Sequence, residues 1–212
     1  MSGWSGFLWE RRGEILALTG EHVVLVAVSA AIAVLIGVPV GVALTRRPAL
    51  AKPVLGFANV VQAIPSLALF GFLIPVPLIG GIGARTAIVA LVVYSLLPIL
   101  RNTYTGIRGV DPAVIEAADG MGMTLGERRR HVELPLAMPV IFAGVRVAVV
   151  VGVGLATIAA AIGAGGLGVL IYRGLATADH RLILAGAVPA ALLALAFDFG
   201  LGALEKLLGP RR

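Results

Sequence analysis

Two apolar runs, 86–100 (TAIVALVVYSLLPIL) and 136–162 (LAMPVIFAGVRVAVVVGVGLATIAAAI), enclose a polar stretch at 101–135, RNTYTGIRGVDPAVIEAADGMGMTLGERRRHVELP. How these three are read together decides the fold. The second run is long enough to cross a hydrocarbon core of about 30 Å as a helix. The first reaches that length if its helix continues through Arg101-Asn102-Thr103-Tyr104-Thr105 into the headgroups. A polar stretch held between two such spans lies on one side of a membrane. Outward from it, further apolar runs at 22–44, 54–79 and 182–204 bring the expected number of spans to five.

Composition points the same way. The chain has 212 residues, 59% hydrophobic, 13% charged and 6% aromatic, with a mean hydropathy of +1.02. An ordinary soluble domain carries about 25% charged residues. So little charge does not cover a water-facing surface, which excludes a soluble enzyme and a disordered protein. There is no cysteine, hence no disulfide, thiol catalysis or cysteine-held metal. No catalytic residue, metal or cofactor is expected on this chain.

The net charge of +6 combines 15 Arg and 2 Lys with 11 acids, and its placement matters more than its sum. Eleven of the Lys and Arg residues fall in one set of alternate loops: Arg46, Arg47, Lys52, Arg101, Arg108, Arg128 to Arg130, Lys206, Arg211 and Arg212. Five fall in the other, and Arg146 lies within the fourth span. The excess marks the cytoplasmic side, so the N-terminus is expected outside and the C-terminus inside. Glu10, Arg11, Arg12 and Glu14 interrupt any signal-peptide core. Residues 4–18, with Trp4, Phe7, Leu8 and Trp9, read instead as a short interfacial helix. The organisation is then an extracytoplasmic segment at 1–20, one transmembrane domain at 21–205 with its cytoplasmic loop at about 101–135, and a cytoplasmic tail at 206–212.

Small residues recur every fourth position in the fourth span (Gly144, Ala148, Gly152, Ala156, Ala160). The fifth repeats the register at Gly186, Ala190, Ala194 and Gly202, and the first carries Gly37 and Gly41. Such stripes let helices approach closely in lipid and predict a packed bundle.

The 101–135 loop carries its own structure. Asp111-Pro112 reads as an N-cap with proline at the first helical position. Ala113, Val114, Ala117, Ala118 and Met121 follow at helical spacing, and Gly122 closes the helix in a left-handed conformation. Thr124 with Glu127 forms a capping box that opens a second helix bearing Arg128, Arg129, Arg130 and His131. Leu134-Pro135 is expected to end it. A loop of some 35 residues with two capped helices is uncommon unless it docks something.

These residues resemble a known family. Glu116-Ala117-Ala118, three residues, Gly122, nine residues and then Val132-Glu133-Leu134-Pro135 matches the EAA motif of ABC importer permeases at every fixed position. Gln62-Ala63-Ile64-Pro65-Ser66-Leu67-Ala68, the run from Leu97 to Gly106, and Ile162-Gly163-Ala164-Gly165-Gly166-Leu167-Gly168 narrow the likeness to permeases of osmoprotectant importers, over roughly residues 20–205. The resemblance implies an all-α integral membrane protein. Its fold would be a type I ABC importer-like bundle of about five transmembrane helices, with an N-terminal interfacial helix and cytoplasmic coupling helices. It implies a bacterial cell-membrane location and a non-enzymatic transport subunit for quaternary ammonium solutes such as glycine betaine, carnitine or choline. A second permease copy, identical or related, an extracytoplasmic solute-binding protein and a cytoplasmic ATPase that holds ATP-Mg would complete the machine. Glu116, Ala117, Ala118, Gly122, Leu134 and Pro135 would form the ATPase-coupling site. Independently, no G-x-x-x-x-G-K-[ST] occurs, so this chain has no phosphate-binding loop of that kind.

Gly163, Gly165 and Gly168 satisfy G-x-G-x-x-G, but an apolar span precedes them where a dinucleotide fold needs a strand. They read better as a flexible turn re-entering the membrane beneath a binding protein. Both tryptophans lie in the N-terminal segment, so the spans offer no aromatic cage for a quaternary ammonium group. Asn59, Gln62, Pro65 and Ser66 in the second span either line the translocation path or form a proline kink with self-satisfied polar groups. Arg146 and Asp198 are the intramembrane charges. They are expected to meet near the cytoplasmic half, the alternative being that each faces its own aqueous path. Competing functions are an ABC permease for methionine or polar amino acids, and an ion-coupled secondary transporter. The latter needs an ionisable relay and shows no inverted repeat.

Overall fold

The computed structural model describes residues 3–208; Met1, Ser2 and the tail from 209, with Arg211 and Arg212, lie outside the described residues. The described residues form helices and turns only. In chain order they are α1 (Trp4–Arg46), α2 (Pro48–Ala63), α3 (Ser66–Leu73), α4 (Ala84–Arg108), α5 (Pro112–Gly120), α6 (Leu125–Arg128), a π turn (Arg129–Glu133), α7 (Leu134–Ala159) ending in a 3₁₀ turn (Ala160–Ile162), α8 (Gly168–Thr177) and α9 (His180–Leu208). Four helical stretches are long and apolar enough to span a membrane, and α2 with α3 makes a fifth if that bent pair counts as one span.

The first span differs from expectation in its start. Residues 4–18 are continuous with it, giving a 43-residue helix about 65 Å long at 1.5 Å per residue. The helix runs through Gly20 with no proline there to stop it, and the early turns find partners that offset the weak helix former: Phe7, Ile15 and Leu18 pack on Leu170, Leu182 and Ala185. Glu14 binds Arg173 across the gap at 2.5 Å.

The second span departs further. The run 54–79 is not one helix: the chain turns by 99° between α2 and α3. Ile64 and Pro65 adopt extended backbone with ψ of 128° and 134°. Residues before proline are pushed out of the α region, which supplies the local cause. The Tyr94 hydroxyl of α4 then donates to the Ile64 carbonyl freed by the break.

Helix α4 lies at the centre, with α1 and α7 against it and α2 and α3 across it. The small-residue stripes make these seams. A Cβ on Gly41 would fall 2.6 Å from Thr103 Cβ, and one on Gly144 would fall 2.6 Å from Asn102 Cβ and 2.7 Å from the Pro98 carbonyl. Gly144, Ala148, Gly152 and Ala156 are all buried, while Ala160 is half-buried. In α9, Gly186 and Ala190 are buried and Ala194 and Gly202 half-buried. Val149, Val153, Leu91, Tyr94 and Phe70 fill the core between the seams.

Gly144→Val should therefore overpack the α4–α7 seam, at a cost of about 1–3 kcal/mol. Gly154→Ala, on the same helix with no atom within 4 Å of the added methyl, should not. Circular dichroism melts of the purified chain in detergent separate the two. A Gly144→Val melt equal to that of Gly154→Ala would reject the close seam.

Candidate functional site

The polar loop forms as its sequence dictates. Asp111 Oδ1 accepts from the Ala113 N–H at 2.9 Å, and Pro112 opens α5. The helix closes in a Schellman turn: the Met123 N–H donates to Ala118 O, the Gly122 N–H donates to Asp119 O, and Gly122 has φ +78°. Thr124 and Glu127 make both halves of the capping box. Hydrogen bonds from the Thr124 N–H and hydroxyl hold the Glu127 carboxyl below its ordinary pKa range.

The EAA triad is split by this geometry. Glu116 and Ala117 are exposed, but Ala118 is 1% exposed and faces the subunit, with Ile115 half-buried one turn earlier. Ala118 is thus a packing residue within the chain, and the outward face rests on Glu116 and Ala117.

Leu134-Pro135 does not end the second helix, contrary to expectation. The helix widens into the π turn and continues into α7, with the Leu134 N–H bonded to Arg129 O. A proline ring clashes with the carbonyl four residues back in a regular helix. One extra residue in the turn carries that carbonyl aside. Leu134 and Pro135 are half-buried at the joint between the loop helices and the fourth span.

At the α2–α3 break, Asn59 and Pro65 are exposed, and Gln62 and Ser66 are half-buried. Among the described residues, the side chains of Asn59, Gln62 and Ser66 make no hydrogen bond, so the self-satisfied kink does not describe them. In the single chain this broken backbone is open to its surroundings. A lipid-facing position does not tolerate that.

Arg146 and Asp198 meet: Nη2 lies 2.8 Å and Nε 3.1 Å from Asp198 Oδ1. Glu205, not singled out from sequence, adds a carboxylate 3.4 Å from Nη1. It follows Asp198 by seven residues, two helical turns, and that spacing is the signal that would have found it. The side chains are about a third exposed, beside an open groove of about 340 Å³ walled by Ala143, Val147, Val150 and Val151.

A further polar constellation escaped sequence reading. The 163–168 turn, with Gly163, Gly165 and Gly166 all at positive φ, is tied to α1. The Gly166 N–H donates to Glu21 at 2.9 Å and the Leu167 N–H to His22 Nδ1 at 3.3 Å. His22 Nε2 pairs with Val153 O at 3.1 Å, so the proton belongs on Nε2. The turn is therefore pinned rather than flexible. Its partners lie 145 residues away in sequence, and no local pattern announces them.

A helical bundle with a broken second span, and a capped EAA helix projecting from one end, defines the membrane-spanning subunit of a type I ABC importer. The chain belongs to the family described as the binding-protein-dependent transport system inner membrane component, matched over residues 33–212. It is similar to the osmoprotectant import permease protein OsmW of Salmonella typhimurium, 47% identical over 97% of this chain and 96% of that one. The glycine betaine/carnitine/choline transport system permease protein OpuCB of Bacillus subtilis is 46% identical over 97% and 93%. Among solved structures, the MetNI methionine ABC transporter in an inward-facing conformation matches with a TM-score of 0.81 and 27% identity, over 91% of this chain and 94% of that one. Membership implies an ATPase and a solute-binding protein as partners, and an inner-membrane location with several spanning helices.

Tyr94→Phe should leave the Ile64 carbonyl without its partner at membrane depth, a loss of about 1–3 kcal/mol. Amide exchange in α2 and α3 should accelerate while α7 stays protected. Unchanged exchange at residues 60–70 would mean that the tyrosine does not hold the break.

Proposed function

We propose that the chain is the permease subunit of an ATP-driven importer of osmoprotectants, quaternary ammonium solutes such as glycine betaine, carnitine or choline. The observation that carries this reading is α5, a helix capped at both ends that turns Ala118 inward and leaves Glu116 and Ala117 exposed. Such a helix suits a groove in a cytoplasmic ATPase, which would bind ATP-Mg and supply the hydrolysis. The solute class rests on relatives of 43–47% identity whose names specify osmoprotectants, choline or carnitine. Methionine has in its favour the fold of a transporter 27% identical.

Two permease copies would face each other across the open α2–α3 break, with Asn59, Gln62, Pro65 and Ser66 lining the path between them. This arrangement gives the unpartnered polar groups and broken backbone a protein or water environment in place of lipid. The groove beside Arg146, Asp198 and Glu205 needs the same cover, since charge at membrane depth does not face hydrocarbon. Solute selection falls to the binding protein: among the described residues the paired aromatic rings are Trp4 and Phe7, near the N-terminus. The excess of Lys and Arg at the α5 end supports a cytoplasmic C-terminus and an external N-terminus.

Uptake of labelled glycine betaine, carnitine and choline into proteoliposomes carrying the assembled importer tests this reading. Uptake should require ATP and the binding protein, and should ignore ion gradients. Glu116→Arg reverses the charge at the docking face. Gly122→Ala places a Cβ in a left-handed residue at about 1–2 kcal/mol. Both should assemble normally, yet lose on the order of tenfold in uptake per complex. Wild-type uptake by both variants would sink the docking role of α5, and gradient-driven uptake without ATP would sink the importer.

A further inference from the structure

Helix α5 is joined to the fourth span in two ways. The covalent route runs through 120–124, an exposed turn in which Met121 is 71% exposed and a Cβ on Gly120 or Gly122 would meet nothing within 4 Å. The turn is held by its own backbone bonds, and its exposed residues lean on no neighbouring helix, so a push on α5 has little else to bear against along this route. The second route is a guanidinium. Arg128 Nη1 donates to both carboxylate oxygens of Asp119 on α5, at 2.7 and 2.6 Å. Arg128 Nε donates to Glu133 Oε1 at 2.8 Å. Glu133 is buried in the π turn, immediately before α7, and Arg129 Nε lies 3.6 Å from its other oxygen.

We propose that Asp119, Arg128 and Glu133 form the strut that carries displacement of α5 to the fourth span. This inference rests on the reading of α5 as the helix an ATPase grips. The planar guanidinium suits the task, because its fork fixes two carboxylates in one geometry where an ammonium would swivel. The inner arm is held by burial: an unpaired Glu133 carboxylate away from water is strongly unfavourable. The outer arm reaches Asp119, which is 49% exposed and contributes little to folding. Arg128 therefore has a fixed end on the span and a working end on α5. Beyond Glu133 the load enters a rigid helix whose Gly144 seam grips α4 and whose Arg146 grips α9. None of the three strut residues occupies a fixed position of the EAA pattern. They are positioning residues, acting through the helix they brace.

The experiment uses the complete importer, with ATPase and binding protein, in proteoliposomes, and reads solute taken up per ATP hydrolysed with glycine betaine, carnitine and choline as probes. Asp119→Asn keeps the shape and removes the charge from the outer arm. The expected result is normal assembly, an unchanged melting temperature and about a tenfold fall in uptake per ATP, the equivalent of one lost charge-assisted hydrogen bond. Asp119→Glu should recover much of the loss, since a carboxylate again faces Arg128. Arg128→Gln should uncouple transport and also lower the melting temperature, because Glu133 loses its close partner. Wild-type uptake per ATP in Asp119→Asn, or equal impairment in Asp119→Asn and Asp119→Glu, overturns the strut. A failure of Asp119→Asn to assemble also overturns it, because the residue then serves assembly. Absence of ATP-driven uptake of all three probes by the wild type would remove the importer reading itself, an outcome distinct from a coupled wild type with a tolerant Asp119.

Discussion

A backbone N–H or C=O in hydrocarbon has no water to bond, and at three departures from regular helix among the described residues a substitute partner is found. At the α2–α3 break the Tyr94 hydroxyl takes up the Ile64 carbonyl. In the 163–168 turn, Glu21 and His22 receive the Gly166 and Leu167 N–H groups. At the π turn, the Leu134 N–H finds Arg129 O in place of the usual acceptor. Each substitute except the last comes from a different span, so the irregular places are also where the spans are tied together.

The same constraint explains where charge is allowed. Glu21 and His22 sit at one end of the bundle and the Asp119–Arg128–Glu133 set at the other. Between them, Arg146 is held by two carboxylates of one helix. Close packing supplies what hydrophobic association does not supply between helices in lipid, and the glycines at 41 and 144 bring α1 and α7 onto α4.

What was legible in the sequence was local or length-dependent. The Asp111-Pro112 start, the Gly122 stop and the Thr124–Glu127 box each depend on residues within five positions, and each forms as read. The long spans follow from hydropathy alone. The Arg146–Asp198 contact followed from a physical demand, since two opposite charges at membrane depth have few other partners. A kink at Pro65 was legible in the second span, but its full extent was not, because the Tyr94 hydroxyl that takes up the Ile64 carbonyl lies 30 residues on. Pro135 read as a terminator because proline usually ends helices; a widened turn is the rarer accommodation. The continuity of α1 depended on packing against α8 and α9, which no local pattern contains. Ala118 read as part of a docking face, but which face of a nine-residue helix turns inward is settled by what lies beneath it.

The π turn also sets the clocking of the loop helices about the axis of α7. It holds one residue more than a regular turn, and one residue of an α-helix is about 100° of rotation. Were the turn to relax to an ordinary one by losing a residue, everything upstream would swing by about that angle. The outward face of α5 would then be turned away from its present bearing by the same amount. The ring of Pro135 opposes such a loss, because the regular turn is the conformation it clashes with. A single imino acid at the mouth of the fourth span thus fixes the bearing on which a partner must approach.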